Sequence, residues 1–276
     1  MSKDYTIRDF SAWSDFEACV ELQKHTWGAD YDEIVPVNVL RVVQKAGGIA
    51  AGAFDHSDAL LGFVFGITGV QAGTPVHWSD MLAVHAGTRN KGVGDSLKRY
   101  QRAALLKRGV QRVYWTFDPL ESRNAYVNFV RLGVTADAYE RDVYGASHSP
   151  LHAGIGTDRL IVTWAIASER VRQRLDSPAA NTKDWKAHPL VNAPRSEDDH
   201  TVCEPPRLDL DVDYIRIAIP ADIQNLKTQA LAAAAEWRSH TRAAFEHYLR
   251  AGYVVIDYVR ERAFGNYVLT RRPLLS

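Results

Sequence analysis

Between Asp80 and Leu97 the chain reads Asp80-Met81-Leu82-Ala83-Val84-His85-Ala86-Gly87-Thr88-Arg89-Asn90-Lys91-Gly92-Val93-Gly94-Asp95-Ser96-Leu97. An apolar run with strand character enters a loop spaced R-x-x-G-x-G, which opens directly into an amphipathic helical stretch. Such a junction can cradle phosphate. The first N–H groups of a helix point outward with partial positive charge and hydrogen-bond an anion. Gly92 and Gly94 carry no Cβ, so the backbone can turn tightly and let a pyrophosphate approach. Arg89 adds a fixed positive charge at the mouth. Read blandly, the same residues are a glycine-containing turn with exposed Arg and Lys, since three fixed positions in six carry little alone. The loop is not a dinucleotide fingerprint, because the earlier Gly-x-Gly at the strand end is missing.

The elements around this loop follow from periodicity and punctuation. Residues 5–10 alternate as a strand. Ser11 or Ser14 is the expected cap of a helix ending near Gly28, and a second helix over 36–45 is closed by Gly47-Gly48. Strands at 49–54 and 60–67 are joined by the turn residues 55–58, and a third strand spans 78–84. A helix over 93–108 stops at Gly109, a strand covers 113–117, and a helix over 122–132 is closed by Gly133. Strands at 136–143 and 159–167 complete the order β-α-α-β-β-β-α-β-α-β-β. From 168 to 213 scattered prolines in polar sequence read as a surface linker with one short helix at its start. Order resumes with a strand at 214–219, a long helical stretch over 222–250, and strands at 253–259 and 267–270. Residues 244–253 echo residues 125–134: both end an amphipathic helix at glycine and lead into a strand.

In Asp80-Met81-Leu82-Ala83-Val84 followed by Arg89-Asn90-Lys91-Gly92-Val93-Gly94, and in the element order from 5 to 167, the chain resembles the GNAT acyltransferase superfamily. The resemblance implies an α/β (α+β) fold, a twisted and mostly antiparallel sheet flanked by helices, with a smaller C-terminal helix-strand-strand unit. It divides the chain into an acyl-CoA-binding domain over 1–167, a linker over 168–212 and a half-domain-like extension over 213–276. It implies acetyl-CoA or another acyl-CoA as co-substrate, with no metal. The backbone from Arg89 to Gly94 would hold the pyrophosphate, with Asp95 completing the first helical turn. The strand end at Leu82, Ala83 and Val84 would pair with the pantetheine arm, and Asn124 would lie near the path of that arm. A strand N–H would polarise the thioester carbonyl, as in an oxyanion hole.

Transfer to an amine needs a base for the ammonium proton and can use an acid for the departing thiolate. Asp80 stands where many members of the family carry a base carboxylate; a plain polar strand residue is the competing reading. His77 and His85 flank it and can serve instead, though a lone histidine near a loop is more often solvated surface. The family's usual tyrosine, four residues before the helix-closing glycine, is here Phe129, which cannot donate a proton. Tyr126, one turn earlier, is the substitute acid, against a role in packing. Trp27, Asp30, Tyr31 and Asp32 suit a cationic amine, or simply a surface loop with an anchoring Trp.

Composition narrows the classes. Lys+Arg and Asp+Glu both number 33, so there is no basic excess of the kind that phosphate-dependent nucleic-acid binding draws on. The longest apolar run, 60–67, falls short of the ~18 residues that cross a bilayer. The charged residues near the start lie where a signal peptide would be apolar. Cys19 and Cys203 form no disulfide framework or metal spacing, and Pro150 between His148 and His152 argues against a metal-binding helix. These features together predict a cytoplasmic N-acyltransferase moving acetyl to a primary amine of a small molecule or peptide. Its partners would be acyl-CoA and an unidentified amine, neither nucleic acid nor membrane, and a homodimer is allowed. A non-catalytic acyl-CoA-binding or regulatory module is the alternative.

Overall fold

The structure, a computed structural model, describes residues 4–29, 31, 33–88, 91–145, 154–177, 184–197 and 200–272. The chain forms two compact units, the first running to Trp115 and the second continuing from Thr116.

In the first unit, β1 (Thr6–Asp9), β2 (Ile49–Phe54), β3 (Leu60–Gln71) and β4 (Thr74–Val84) pair successively antiparallel. The start of β5 (Arg112–Phe117) joins β4 in parallel. Helices α1 (Trp13–Trp27) and α2 (Val37–Lys45) pack on the sheet, and a core of Phe10, Phe16, Leu40, Phe54, Phe63 and Phe65 lies beneath them. Their edge-to-face contacts, such as Phe10 on Phe16 at 5.3 Å, suit the ring quadrupoles. Helix α3 (Val93–Lys107) also packs on β2, β3 and β4. The serine cap expected for α1 is replaced by Asp15, whose carboxylate accepts the N–H groups of Ser11 and Ala12 and pairs with Arg8 at 2.6 Å. The β3–β4 hairpin runs several residues beyond expectation and turns at Ala72 and Gly73, both at positive φ. Pro75 near the start of β4 hid this extension, because proline reads as a strand breaker.

In the second unit the helix after β5 begins as α4 (Ser122–Ala125) and continues as a π-helical segment, Tyr126–Leu132, closed by Gly133 at φ +73°. Next come β6 (Thr135–Glu140), β7 (Arg159–Ala165) and α5 (Glu169–Asp176), the short helix expected at the head of the linker, capped by the Ser168 side chain. An unforeseen hairpin, β8 (Pro194–Glu197) with β9 (His200–Cys203), follows within the linker. Then β10 (Tyr214–Pro220), α6 (Ile223–Gln229), α7 (Leu231–Arg250), β11 (Val254–Arg260) and β12 (Phe264–Thr270) complete the chain. The single long helix expected over 222–250 breaks at Ala230, whose φ of −149° is not helical. The strands lie in the order β7-β6-β11-β12-β10, every neighbour antiparallel. Helix, strand and returning strand thus occur twice in this unit, and the two copies meet where β6 pairs with β11, Ala136 opposite Val255.

Candidate functional site

The site is built on an irregularity in β4. Phe65 pairs with Met81 but Ile67 pairs with Trp78, so Gly66 alone opposes Ser79 and Asp80. Two residues facing one is a β-bulge, which shifts the side-chain phase of the strand. Before the bulge, His77 and Ser79 face α3 and hydrogen-bond to its Gln101. Beyond it, Met81 and Ala83 join the core under α1 and α2, while Leu82 and Val84 approach Gly94 at the head of α3. Gly66 is required here: a Cβ would lie 2.3 Å from His77 Nε2 and 2.5 Å from the Trp78 carbonyl oxygen.

On its other edge, β4 pairs with β5 only from Val76 opposite Arg112 to Trp78 opposite Tyr114. Both strands continue, but this ladder stops there. The edge of β4 from Ser79 to Val84 therefore opens on a fork within the first unit, where it is not paired with β5. An extended chain can pair with such an edge as a further strand would.

The cradle lies at the same end of β4. Beyond Val84 a short turn over Ala86–Thr88 is pinned by Thr88 Oγ1, which donates to the carbonyls of His85 and Leu61. Arg89 and Asn90 lie outside the described residues. Lys91 and Gly92 are exposed, and Gly92 enters α3 at φ +78°, a conformation that costs other residues strain. Among the described residues no side chain caps α3. A Cβ on Gly92 would meet open space, and one on Gly94 would come no nearer than 3.7 Å to Leu82 and Val84. Among the described residues, no side chain fills the space beside either glycine. Val93 is buried as the first helical anchor, and Asp95 pairs with Arg99 at 2.8 Å.

Asp80 is exposed at the bulge. The protein crowded about its carboxyl, together with the negative charge of Glu33, pushes its pKa above the ordinary carboxylate value. Glu33 was not singled out by sequence; it follows the first helix and accepts a hydrogen bond from Tyr31 at 2.7 Å. Trp27 stacks on Tyr31 at 5.9 Å and meets Phe63 edge-on. Asp30 and Asp32 lie outside the described residues. The expectation that His77 is solvated or serves as a base is corrected. His77 is fully buried, accepts from Gln101 at Nε2 and bonds Thr68 at Nδ1. Burial, with the charges of Lys98 and Arg108, depresses its pKa to about 3, so it stays neutral. His85 is exposed.

Tyr126 and Asn124 belong to the second unit. Asn124 is exposed on α4; Tyr126 is half-buried, with the Arg260 guanidinium 4.4 Å over its ring. Phe129 is wholly buried between Phe117 and Tyr267. Its counterpart in the echo, Tyr248, is equally buried, and its hydroxyl donates to the Arg207 carbonyl at 2.6 Å. Neither is placed as an acid. Cys19 and Cys203 are both buried, and burial pushes both thiols up to about 12. No group of three or more His, Cys, Asp or Glu side chains among the described residues could hold a metal, and no described helix is long and apolar enough to cross a membrane. His148 and His152 lie outside the described residues.

No family model matches the sequence, and no curated protein does. Among solved structures the chain is similar to one from the NatC complex bound to Gag peptide and CoA, with 13% identity and TM-score 0.48, over 59% of this chain and 98% of that one. It is similar to aminoglycoside 6'-acetyltransferase type Ii at 20% identity and TM-score 0.47, over 59% and 98%. It is also similar to a phosphinothricin acetyltransferase from Sinorhizobium meliloti in complex with AcCoA, at 14% identity and TM-score 0.46, over 58% and 87%. The element order through β7 is the one expected from the sequence, a mostly antiparallel sheet flanked by helices.

Proposed function

We propose that the chain is an acyl-CoA-dependent N-acyltransferase of the cytoplasm, moving an acyl group, acetyl first of all, to a primary amine. One observation carries the reading: the β4–β5 ladder stops at Trp78 and Tyr114 beside an uncapped helix entrance whose glycines leave space. The N–H groups at the start of α3, with Arg89, Asn90 and Lys91, hold the pyrophosphate, and the open edge of Leu82–Val84 takes the pantetheine arm. Residues 1–167 form the acyl-CoA domain in this reading, 168–212 the linker and 213–276 the half-domain extension.

The reaction then follows from the chain's own groups. Asp80, its proton affinity raised, takes the proton from the acceptor ammonium directly or through one water. The amine nitrogen attacks the thioester carbon while a β4 N–H at the fork stabilises the oxyanion. As the oxyanion collapses the C–S bond breaks, and the nitrogen's surplus proton passes to the departing thiolate, low enough in basicity to need no acid at Phe129.

Titration calorimetry with CoA, followed by thiol release from acetyl-CoA across a panel of primary amines, tests this. The wild type binds CoA saturably and at least one amine accelerates release. Gly94→Trp fills the cradle mouth and weakens CoA binding by at least about 100-fold, since it removes the aligned contacts together. Unchanged affinity in that variant removes the site assignment. Binding with no release from any amine leaves an acyl-CoA-binding module instead of an enzyme.

A further inference from the structure

The fork in the first unit has a lysine at its vertex. The last paired residues of the ladder are Trp78 and Tyr114, so the next residues out are Ser79 on β4 and Trp115 on β5. Lys98 of α3 reaches both. Its Nζ donates to Ser79 Oγ at 2.8 Å and lies 3.9 Å from the centre of the Trp115 ring, against the face that attracts cations. It also donates to Gln101 Oε1 at 3.1 Å, and the Gln101 amide in turn bonds Ser79 Oγ and His77 Nε2, both at 3.1 Å. The bulge is thereby held from below by one connected network, with Thr68 Oγ1 on the far side of His77 at 2.9 Å.

Lys98 is 8% exposed. Burying an ammonium costs several kcal/mol unless it is well partnered. Its ammonium reaches the Ser79 hydroxyl, the Gln101 amide oxygen and the Trp115 face, and burial drags its pKa down to about 7. It thereby bridges the two strands at the point where they separate.

We propose that Lys98 is a positioning residue: its side chain, wedged between Ser79 and Trp115, keeps β4 and β5 apart at the fork and so sets the opening that receives the acyl-pantetheine arm. The ligand half of this statement rests on the acyl-CoA reading; the wedge itself does not. Remove the ammonium and the Ser79 hydroxyl loses one of its two donors, the indole loses its cation, and the next rung of the parallel ladder is free to close. Asp80, adjoining Ser79 in the bulge, moves with it.

Two variants and two readouts test the proposal. Lys98→Met keeps length and removes the charge; Ser79→Ala keeps the lysine and removes its anchor, and stands in if the first variant fails to fold. Amide hydrogen exchange without ligand reads the wedge: protection at Ser79–Val84 rises by about 10-fold or more in Lys98→Met, with β2 and β3 unchanged, because each new ladder bond must open before exchange. Calorimetry with CoA reads the consequence: affinity falls about 10-fold in Lys98→Met and less in Ser79→Ala, as expected for a misplaced strand edge. Unchanged exchange at Ser79–Val84 overturns the wedge, whatever CoA does. Altered exchange with wild-type CoA affinity overturns the positioning role. A wild type that binds no CoA overturns the acyl-CoA reading and the ligand half of the proposal, and the exchange result still decides the wedge.

Discussion

Two junctions of this molecule run from a strand into a helix through a tight turn, and they are finished in opposite ways. Between β5 and α4 nearly every polar group is bound by the chain itself. Asp118 Oδ1 accepts the Leu120 N–H at 2.8 Å, and Oδ2 accepts Arg238 Nη2 at 2.6 Å. The Pro119 carbonyl accepts the Tyr267 hydroxyl, Glu121 accepts from Gln224, and Ser122 meets the Tyr258 hydroxyl. Apart from Leu120, those partners come from β10's side of the repeat: α6, α7, β11 and β12. Between β4 and α3 the turn carries a positive-φ glycine, a helix start without a side-chain cap, and a second glycine with nothing nearer than 3.7 Å to its missing Cβ. Buried polar groups must be satisfied by something. Where the chain satisfies them the junction is architecture; where the described side chains do not, the proposed pyrophosphate would do so.

Substitution at the closed junction has the largest expected effect. Asp118→Asn removes the charge that faces Arg238, a side chain only 4% exposed, and leaves a guanidinium buried without its counter-ion. Breaking such a pair costs about 3–5 kcal/mol. Arg238 Nη1 already lacks a hydrogen-bond partner, so the residue has little means of compensating. Urea unfolding of Asp118→Asn, and of the double variant with Arg238→Met, measures this; the double variant recovers much of the loss. A near-neutral Asp118→Asn would mean that the closed junction is not held by its own partners, and the contrast would lose one side.

At the open junction the expected effects are on turnover. Asp80→Asn lowers the rate of thiol release by about 100-fold, the contribution of a positioned base, with CoA affinity unchanged. The pH profile sharpens this. The base acts when deprotonated, so activity rises with pH through the pKa of Asp80, which lies above the usual carboxylate range because of the protein crowded about its carboxyl first and Glu33 second. Glu33→Gln removes the second cause, lowers that pKa and moves the acid limb to lower pH. A limb that stays in place shows that Asp80 is not the group being titrated.

Sequence patterns carried the first unit well, because its elements are local. Ile49–Phe54 is bounded by glycines and turn residues, and α3 runs from its glycines to Gly109, as periodicity requires. The glycine bend was legible for the same reason. Features that depend on a partner distant in sequence were not. Ser79 and Lys98 are 19 residues apart, and nothing in either neighbourhood announces the bulge that joins them. His77 looks like a strand-end histidine until Gln101 and Thr68 close round it. The α1 cap was misplaced because a buried carboxylate reaching back to Ser11 and Ala12 outcompetes a serine hydroxyl. Phe129 reads as a missing acid in sequence, and the structure shows what that position does instead: it fills the core against Phe117 and Tyr267.

The smallest effects give the cleanest contrast. The Asp222 side chain caps α6 by accepting the Asn225 N–H at 3.0 Å, and Asp222→Ala costs about 1 kcal/mol of stability. Gly92→Ala costs about the same, because alanine resists φ +78°. In stability the two variants are alike. In ligand binding they differ: the alanine methyl at 92 projects into space that the described residues beyond its chain neighbours leave open, and so weakens CoA binding several-fold, whereas loss of the Asp222 cap leaves CoA affinity unaltered. Thermal unfolding paired with CoA titration of both variants separates a helix entrance that serves only its own helix from one that serves a ligand. If Gly92→Ala destabilises without touching CoA affinity, that glycine is present for the turn alone.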